Sequence, residues 1–304
     1  MFSIVAGAWA LLASAADSGP VDAIQGIVAA FGQRPVVIIG ENHWLQQAGD
    51  FYVRLVRDPA FQNTVQDIVI EFASRNNQPL LDRYVGGEDV PMEEVRRIWR
   101  DTTKVASWES PIYAEWLAAI REVNRGLPAT RRLRVLAGDT AIDWSRMRSH
   151  ADWAALGDNN ISIAEVVVRE VLRKKHRALV VLGANHVTKS GDRSGSDNAT
   201  TRIERQYPGS TFVLLMLYAG VLDRAVEDAL RLPRRETTTL FRVTGTRLNQ
   251  KADALLYLVP REAFTQARPV AGSLEAAYLK EVDRRSMIEW GELRAREFLG
   301  VAGK

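Results

Sequence analysis

A chain of 304 residues, 46% hydrophobic and 25% charged, has the length and composition of a globular protein with a substantial buried core. Its 40 basic and 37 acidic residues leave a net charge of +3, and the clusters "RRIWR", "TRRLR", "RKKHR" and "LPRRE" read as solvated helix faces and helix C-termini, so no nucleic-acid partner is expected. The absence of cysteine excludes disulfides, thiolate metal sites and cysteine nucleophiles.

In chain order, residues 1–19, "MFSIVAGAWALLASAADSG", pair an apolar run with small residues at Ala13-Ser14-Ala15, the pattern of a secretory signal and its cleavage site, although no Lys or Arg precedes the run. The run is short and alanine-rich for a membrane span. The expectation is a periplasmic or secreted protein, with cytoplasmic residence as the alternative and no membrane association beyond this segment. Residues 20–304 read as one α/β domain. It begins with the amphipathic helix "DAIQGIVAAFG" and a first strand, Val36–Ile39. Helix "LQQAGDFYVRLVRD" follows, broken by Pro59, and then the second strand, Asp67 to Phe72. A helical insertion spans about 79–127 and contains "SPIYAEWLAAIREVN", where Ser110 is placed to cap and Pro111 to start a helix. The third strand, "LRVLAG", ends at Asp139. Helix "NISIAEVVVREVLRKK" leads to the fourth strand, "ALVVLG", and the Gly/Ser-rich loop "KSGDRSGSDNAT". Helix "TRIERQYP", strand "TFVLLMLY", strand "ADALLYLVP" and a long helix, "SLEAAYLKEVDRRSMIEWGELRAREFL", complete the chain. Apolar strands alternating with helices predict a three-layer α/β fold, with a mainly parallel sheet between helices on both faces.

In such sheets ligands bind beyond the carboxyl ends of the strands, and this sequence loads that edge. The first strand runs into Glu41 and His43, the second ends in Glu71, the third in Asp139 with Asp143 beyond it, and the fourth in Gly183 and His186, followed by Lys189. Two of the four histidines close apolar strands in the same Gly-x-x-His context, whereas His176 reads as a cation at a helix C-terminus and His150 has no evident role. Imidazoles beside carboxylates suit general acid–base chemistry. The same groups, without sulfur, also suit Zn or Mn. The serine-hydrolase elbow, the zinc-protease helix motif, the Walker loop and the dinucleotide fingerprint are all absent. Asn198-Ala199-Thr200 matches a glycosylation sequon.

The order strand-"GENH", strand-"IEF", strand-"AGD", strand-"GANHVTKSG" resembles the superfamily of erythromycin esterases, the haem-binding lipoprotein ChaN and Tiki/TraB-type proteins, over roughly Val36 to Tyr218. The resemblance implies a three-layer α/β fold in which Glu41, His43, Glu71 and His186 line a pocket. It leaves the activity open among metal-independent esterases with a histidine base, metal-dependent peptidases and haem binders. Esterase relatives tend to carry an Arg-Asp pair where this chain has Gly157-Asp158, which weighs against macrolide esterase activity.

The leading expectation is a hydrolase of ester, lactone or amide bonds acting on a small-molecule or peptide substrate. His43 would be the general base, oriented by Glu41 or Glu71, and His186 a second acid–base or an electrostatic stabiliser supported by Asp139. A metallohydrolase variant makes His43, His186 and Glu71 the ligands of a divalent ion. The alternative is a haem- or ligand-binding protein of ChaN type, with Tyr and His residues near the cleft as iron ligands. The loop beside His186 reads either as a mobile lid or as a solvated loop.

Overall fold

The computed structural model describes residues 19–192, 194–216, 224–269 and 272–301. All but the last residue of the signal-like segment, and the last two residues of "TFVLLMLY", lie outside the described residues. Eight strands, β1 (Val21–Asp22), β2 (Val36–Glu41), β3 (Asp67–Ser74), β4 (Arg134–Asp139), β5 (Ala178–Gly183), β6 (Thr211–Met216), β7 (Thr239–Arg242) and β8 (Ala254–Tyr257), form one sheet in the order β1-β7-β8-β6-β2-β5-β3-β4. From β8 to β4 every pairing is parallel, and β7 joins β8 and β1 antiparallel. The sequence reading did not anticipate β1, of two residues, or β7.

The central strands are apolar over most of their length because both faces are covered. Val37 and Ile39 of β2, Ile68 and Ile70 of β3 and Leu179 and Val181 of β5 pack against helices Ala23–Ala30, Gln46–Arg57 and Pro111–Gly126. Their neighbours Val36, Ile38, Val69, Val180 and Leu182 pack instead against helices Asn159–Val166 and Ala199–Gln206. Fully burying each such side chain is worth about 1.5–3 kcal/mol, so the alternation fixes which way the ends of β2 and β5 point, whereas β3 shifts register between Ile70 and Ser74.

The insertion between β3 and β4 is helical as expected, comprising Gln78–Val85, Met92–Val95, Arg97–Arg100 and Pro111–Gly126. Pro111 opens the last of these, but the Ser110 hydroxyl donates to Ala267 O at 2.5 Å instead of capping it. Gln78 lies along the outer edge of β4, donating to Val135 O at 2.8 Å and accepting from Ala137 N at 2.7 Å. Two predicted helices differ in detail. The one after Asp158 widens to a π-helix over Val167–Leu172. The C-terminal one is split, since Gly291 takes the left-handed conformation (φ 75°) and ends Ala276–Trp290 before Ala295–Phe298 begins.

The chain leaves β2 toward β3 on one side and leaves β5 toward β6 on the other, although β2 and β5 are neighbours. Connections that part in opposite directions open a crevice at the strand ends. Both Gly-x-x-His blocks end there.

Candidate active site

Register brings the two blocks together: Gly40 pairs with Leu182 and Glu41 with Gly183. Glu41 faces the helices of the first layer, where its carboxylate accepts from the Tyr52 hydroxyl at 3.1 Å and the Tyr113 hydroxyl at 2.9 Å. These tyrosines come from helices Gln46–Arg57 and Pro111–Gly126. Past the strand the chain turns back, and His43 Nδ1 lies 2.6 Å from Glu41 Oε1. Trp44 follows in a left-handed conformation (φ 66°), strain costing about 1–3 kcal/mol, which its contacts offset. Its indole N–H donates to Ser107 O at 2.6 Å, and the Arg268 guanidinium lies over its ring. His43 packs edge-on against Trp108, ring centres 4.7 Å apart. Its Nε2 has no protein hydrogen-bond partner among the described residues, and 39% of the side chain is exposed.

Glu71, at the register shift in β3, turns toward the end of β5. Its Oε2 accepts from Gly183 N at 2.7 Å and its Oε1 lies 3.3 Å from His186 Nε2. The other ring nitrogen of His186, Nδ1, lies 2.7 Å from Asn160 Oδ1. Asp139, expected to support His186, has its oxygens taken by Thr103 instead, one by the backbone N–H and one by the hydroxyl, each at 2.6 Å. Its position at the end of β4 makes it an anchor for the insertion loop that crosses the site. Buried Glu289 holds the same loop from the other side through Val105 N at 2.9 Å and Lys104 Nζ at 3.3 Å. The indoles of Trp144 and Trp153 donate to Thr102 O and Thr103 O. Two buried acids and three indoles, counting Trp44, thus fix the loop that carries Trp108 to His43.

The electrostatics follow from this packing. Burial disfavours a charged His43, but the hydrogen bond and charge of Glu41, with the charge of Glu71, outweigh it and raise the imidazole above its ordinary value. His186 behaves similarly: burial opposes its charge, Glu71 outweighs that, and His43 and Lys104 oppose in part, leaving it raised. Burial would lift Glu71, yet His186, His43 and the Gly183 N–H hold it down at about 2. Asp139, buried and near the Glu71 charge, is pushed up to about 7 against the two Thr103 hydrogen bonds. Burial and the Glu41 charge raise Tyr52 and Tyr113 well above the usual phenol range, so both remain neutral donors.

The ligand set His43, His186 and Glu71 does not assemble as a metal site. Among the described residues no group of three or more His, Asp or Glu side chains is arranged to hold an ion. His43 turns Nδ1 to Glu41 and keeps Nε2 unpartnered, while Glu71 divides its oxygens between Gly183 and His186. Tyr52 and Tyr113 are buried and committed to Glu41, which leaves neither phenol for haem iron. A cavity of about 230 Å³ adjoins His186, lined also by Thr103, Lys104, Thr140 and Trp153.

The other singled-out residues lie apart from this cluster. Lys189 pairs with Asp253 at 2.7 Å, and Asp143 accepts from Ser145 in an exposed turn. Ser194 is held in a turn by Asp192 Oδ1, which also takes Ser196 N. Asn198 of the sequon is fully buried and caps helix Ala199–Gln206. His176 lies 2.8 Å from Asp67, and His150 stacks on Trp153 with its Nδ1 3.1 Å from Ile288 O. The sequence reading did not single out Tyr52, Tyr113, Trp108, Asn160 or Thr103. The two tyrosines left a trace, since each falls on the apolar face of an amphipathic helix.

No protein-family model and no curated protein sequence matches the chain. Among solved structures, a protein from Bacillus cereus superposes with a TM-score of 0.55 at 10% identity, covering 78% of this chain and 91% of its own. A succinoglycan biosynthesis protein gives 0.54 at 10% identity, covering 78% and 90%. Likeness at this identity is one of fold, in keeping with the three-layer architecture. ChaN of Campylobacter jejuni, described with cofacial haem, aligns over 78% of this chain and 92% of its own at 13% identity with a TM-score of 0.44.

Proposed function

We propose that the protein is a metal-independent hydrolase of ester, lactone or amide bonds, with small molecules or peptides as substrates. The observation that carries this reading is the His43–Glu41 pair. A carboxylate 2.6 Å from Nδ1 holds that nitrogen as the donor, which leaves the Nε2 lone pair directed away from the acid, on a ring partly open to solvent. Glu41 is itself held in place by two phenols. His43 then takes a proton from water as that water attacks the substrate carbonyl, Glu41 stabilises the imidazolium that forms, and the same proton passes from Nε2 to the leaving oxygen or nitrogen as its bond to the carbonyl carbon breaks. Removal of such a base or its orienting acid costs typically 10²–10⁴-fold in rate. Export to the periplasm or medium belongs to the same proposal, on the basis of the signal-like segment.

The test is a screen of activated esters and lactones with wild type, His43→Ala and Glu41→Gln. Turnover by wild type that falls at least about 100-fold in both variants supports the reading. Full activity in His43→Ala sinks it.

Haem or ligand binding of ChaN type is the second reading, favoured by the same unpartnered Nε2 of His43. Haem titration distinguishes it: a Soret shift that disappears in His43→Ala would favour binding over hydrolysis.

A further inference from the structure

We propose that Asn160 is a positioning residue that holds His186 as a doubly protonated imidazolium. The argument is one of donors and acceptors. Asn160 Oδ1 accepts from Ala199 N at 3.0 Å, and Asn160 Nδ2 donates to Asp158 Oδ1 at 2.9 Å. Turning the amide over would set its NH₂ against a backbone N–H and its oxygen against a carboxylate. The amide therefore has one orientation, and the atom 2.7 Å from His186 Nδ1 is an acceptor. Nδ1 must carry hydrogen. On the other side of the ring, Nε2 lies at ion-pair distance, 3.3 Å, from Glu71 Oε1, and Glu71 is occupied on its other oxygen by the Gly183 N–H. A bare Nε2 would set a lone pair against a carboxylate, so Nε2 carries hydrogen as well.

The remaining charged groups near His186 do not undo this. His43 and Lys104 oppose the charge, but Lys104 is paired with Glu289. Asp158, which shares the cavity, is engaged by Arg202 at 3.0 Å and by Asn160. His186 thus has no lone pair to act as a base. Its role is a fixed positive charge beside the cavity, suited to an oxygen that gains negative charge, while His43 is left as the base. Asn160 also explains why Asn198-Ala199-Thr200 lies next to the site: the Ala199 N–H fixes the amide that fixes the imidazole.

The role rests on the hydrolase reading, but the protonation state does not, and its test needs no substrate. The full chain is labelled with ¹⁵N-histidine, and ring nitrogens are observed by long-range ¹H–¹⁵N correlation at pH 7.5, with His186→Gln giving the assignment. Wild type should show both His186 nitrogens protonated. Asn160→Leu, which removes the acceptor, should lower the stability of the charged form by on the order of one pH unit or more and expose one unprotonated nitrogen. Asn160→Asp, which keeps an acceptor, should restore the doubly protonated signature. An unprotonated nitrogen on His186 in wild type or in Asn160→Asp overturns the proposal, as does a folded Asn160→Leu with an unchanged spectrum. If Asn160→Leu does not fold, the other two spectra still decide.

Discussion

Replacing Gly183 with Ala separates the chemistry of the site from its packing. The backbone there has φ −56° and ψ 141°, a conformation open to any residue, so the substitution meets no dihedral penalty. Space is what it lacks. A Cβ on residue 183 would sit 2.7 Å from His43 Nε2 and 2.9 Å from His43 Cε1, with Glu71 Oε2 at 3.5 Å. Restoring an ordinary contact of 3.4 Å requires the imidazole to retreat by about 0.7 Å. His43 is held by a 2.6 Å contact to Glu41 and by Trp108, so it cannot move that far and keep both. Crowding a packed site costs about 1–3 kcal/mol, and the gain of about 0.4–1 kcal/mol from a stiffer unfolded chain offsets part of it. The net loss should be about 0.5–2 kcal/mol, a few degrees in Tm at most for a chain of this size. Misplacement of a catalytic group by nearly an ångström costs on the order of 100-fold in turnover. The paired control is Gly40→Ala, whose Cβ would strike Val187 and Leu215 at 2.5 and 2.7 Å, side chains with no part in the chemistry. Thermal melts, turnover on the best ester and the imidazole proton spectrum of His43 are compared in both variants. Gly183→Ala should lose activity far beyond its loss of stability, and Gly40→Ala should lose mainly stability. Wild-type turnover together with an unaltered His43–Glu41 proton signal in Gly183→Ala would refute the reasoning.

Activity should rise with pH through the raised His43 value, because only the neutral ring accepts a proton. Glu41→Gln should move that limb to lower pH, as read from the pH dependence of kcat/KM. For stability the signs differ between groups. Glu71, depressed to about 2, stabilises above its unfolded value, and that contribution is lost as pH falls from about 4.5 toward 2. Asp139, raised to about 7, acts oppositely: its folded form favours the proton, so it lowers stability as pH rises from about 4 to 7, by on the order of 4 kcal/mol. Denaturant titrations of Asp139→Asn at pH 5 and 8 should show a smaller fall across that range than wild type. At Asn198 the buried cap predicts no glycan on expression in a glycosylating host, checked by mass spectrometry. Asn198→Ala should cost about 1 kcal/mol in denaturant melts.

The parallel strands were legible because burial on both faces writes them as continuous apolar runs. The ends of those runs were legible because Glu41, His43, Glu71 and His186 interrupt them abruptly. The partners were not. Tyr52, Tyr113 and Asn160 look like ordinary helix residues until the helices are packed, and Thr103 and Trp108 belong to a loop whose course depends on anchors at positions 139 and 289. Asp139 illustrates the limit. Its place at a strand end was clear, but whether it faced His186 or the insertion depended on Thr103, a residue with no signal of its own. The break at Gly291 was not read from the sequence, because the apolar spacing on either side runs on as one helix.

The outer edge of β4 has a further consequence. With its amide oxygen and nitrogen meeting Ala137 N and Val135 O, Gln78 imitates one residue of a ninth strand. An exposed parallel edge invites another chain to add itself. Here the invitation is answered from within, by the first residue of the helix that opens the insertion. One side chain therefore covers part of the sheet edge and also fastens the insertion, which carries Trp108 to His43, to the strand that ends in Asp139. A mutation that freed Gln78 would be felt in two places: as stickiness at the rim of the sheet, and as slack above His43.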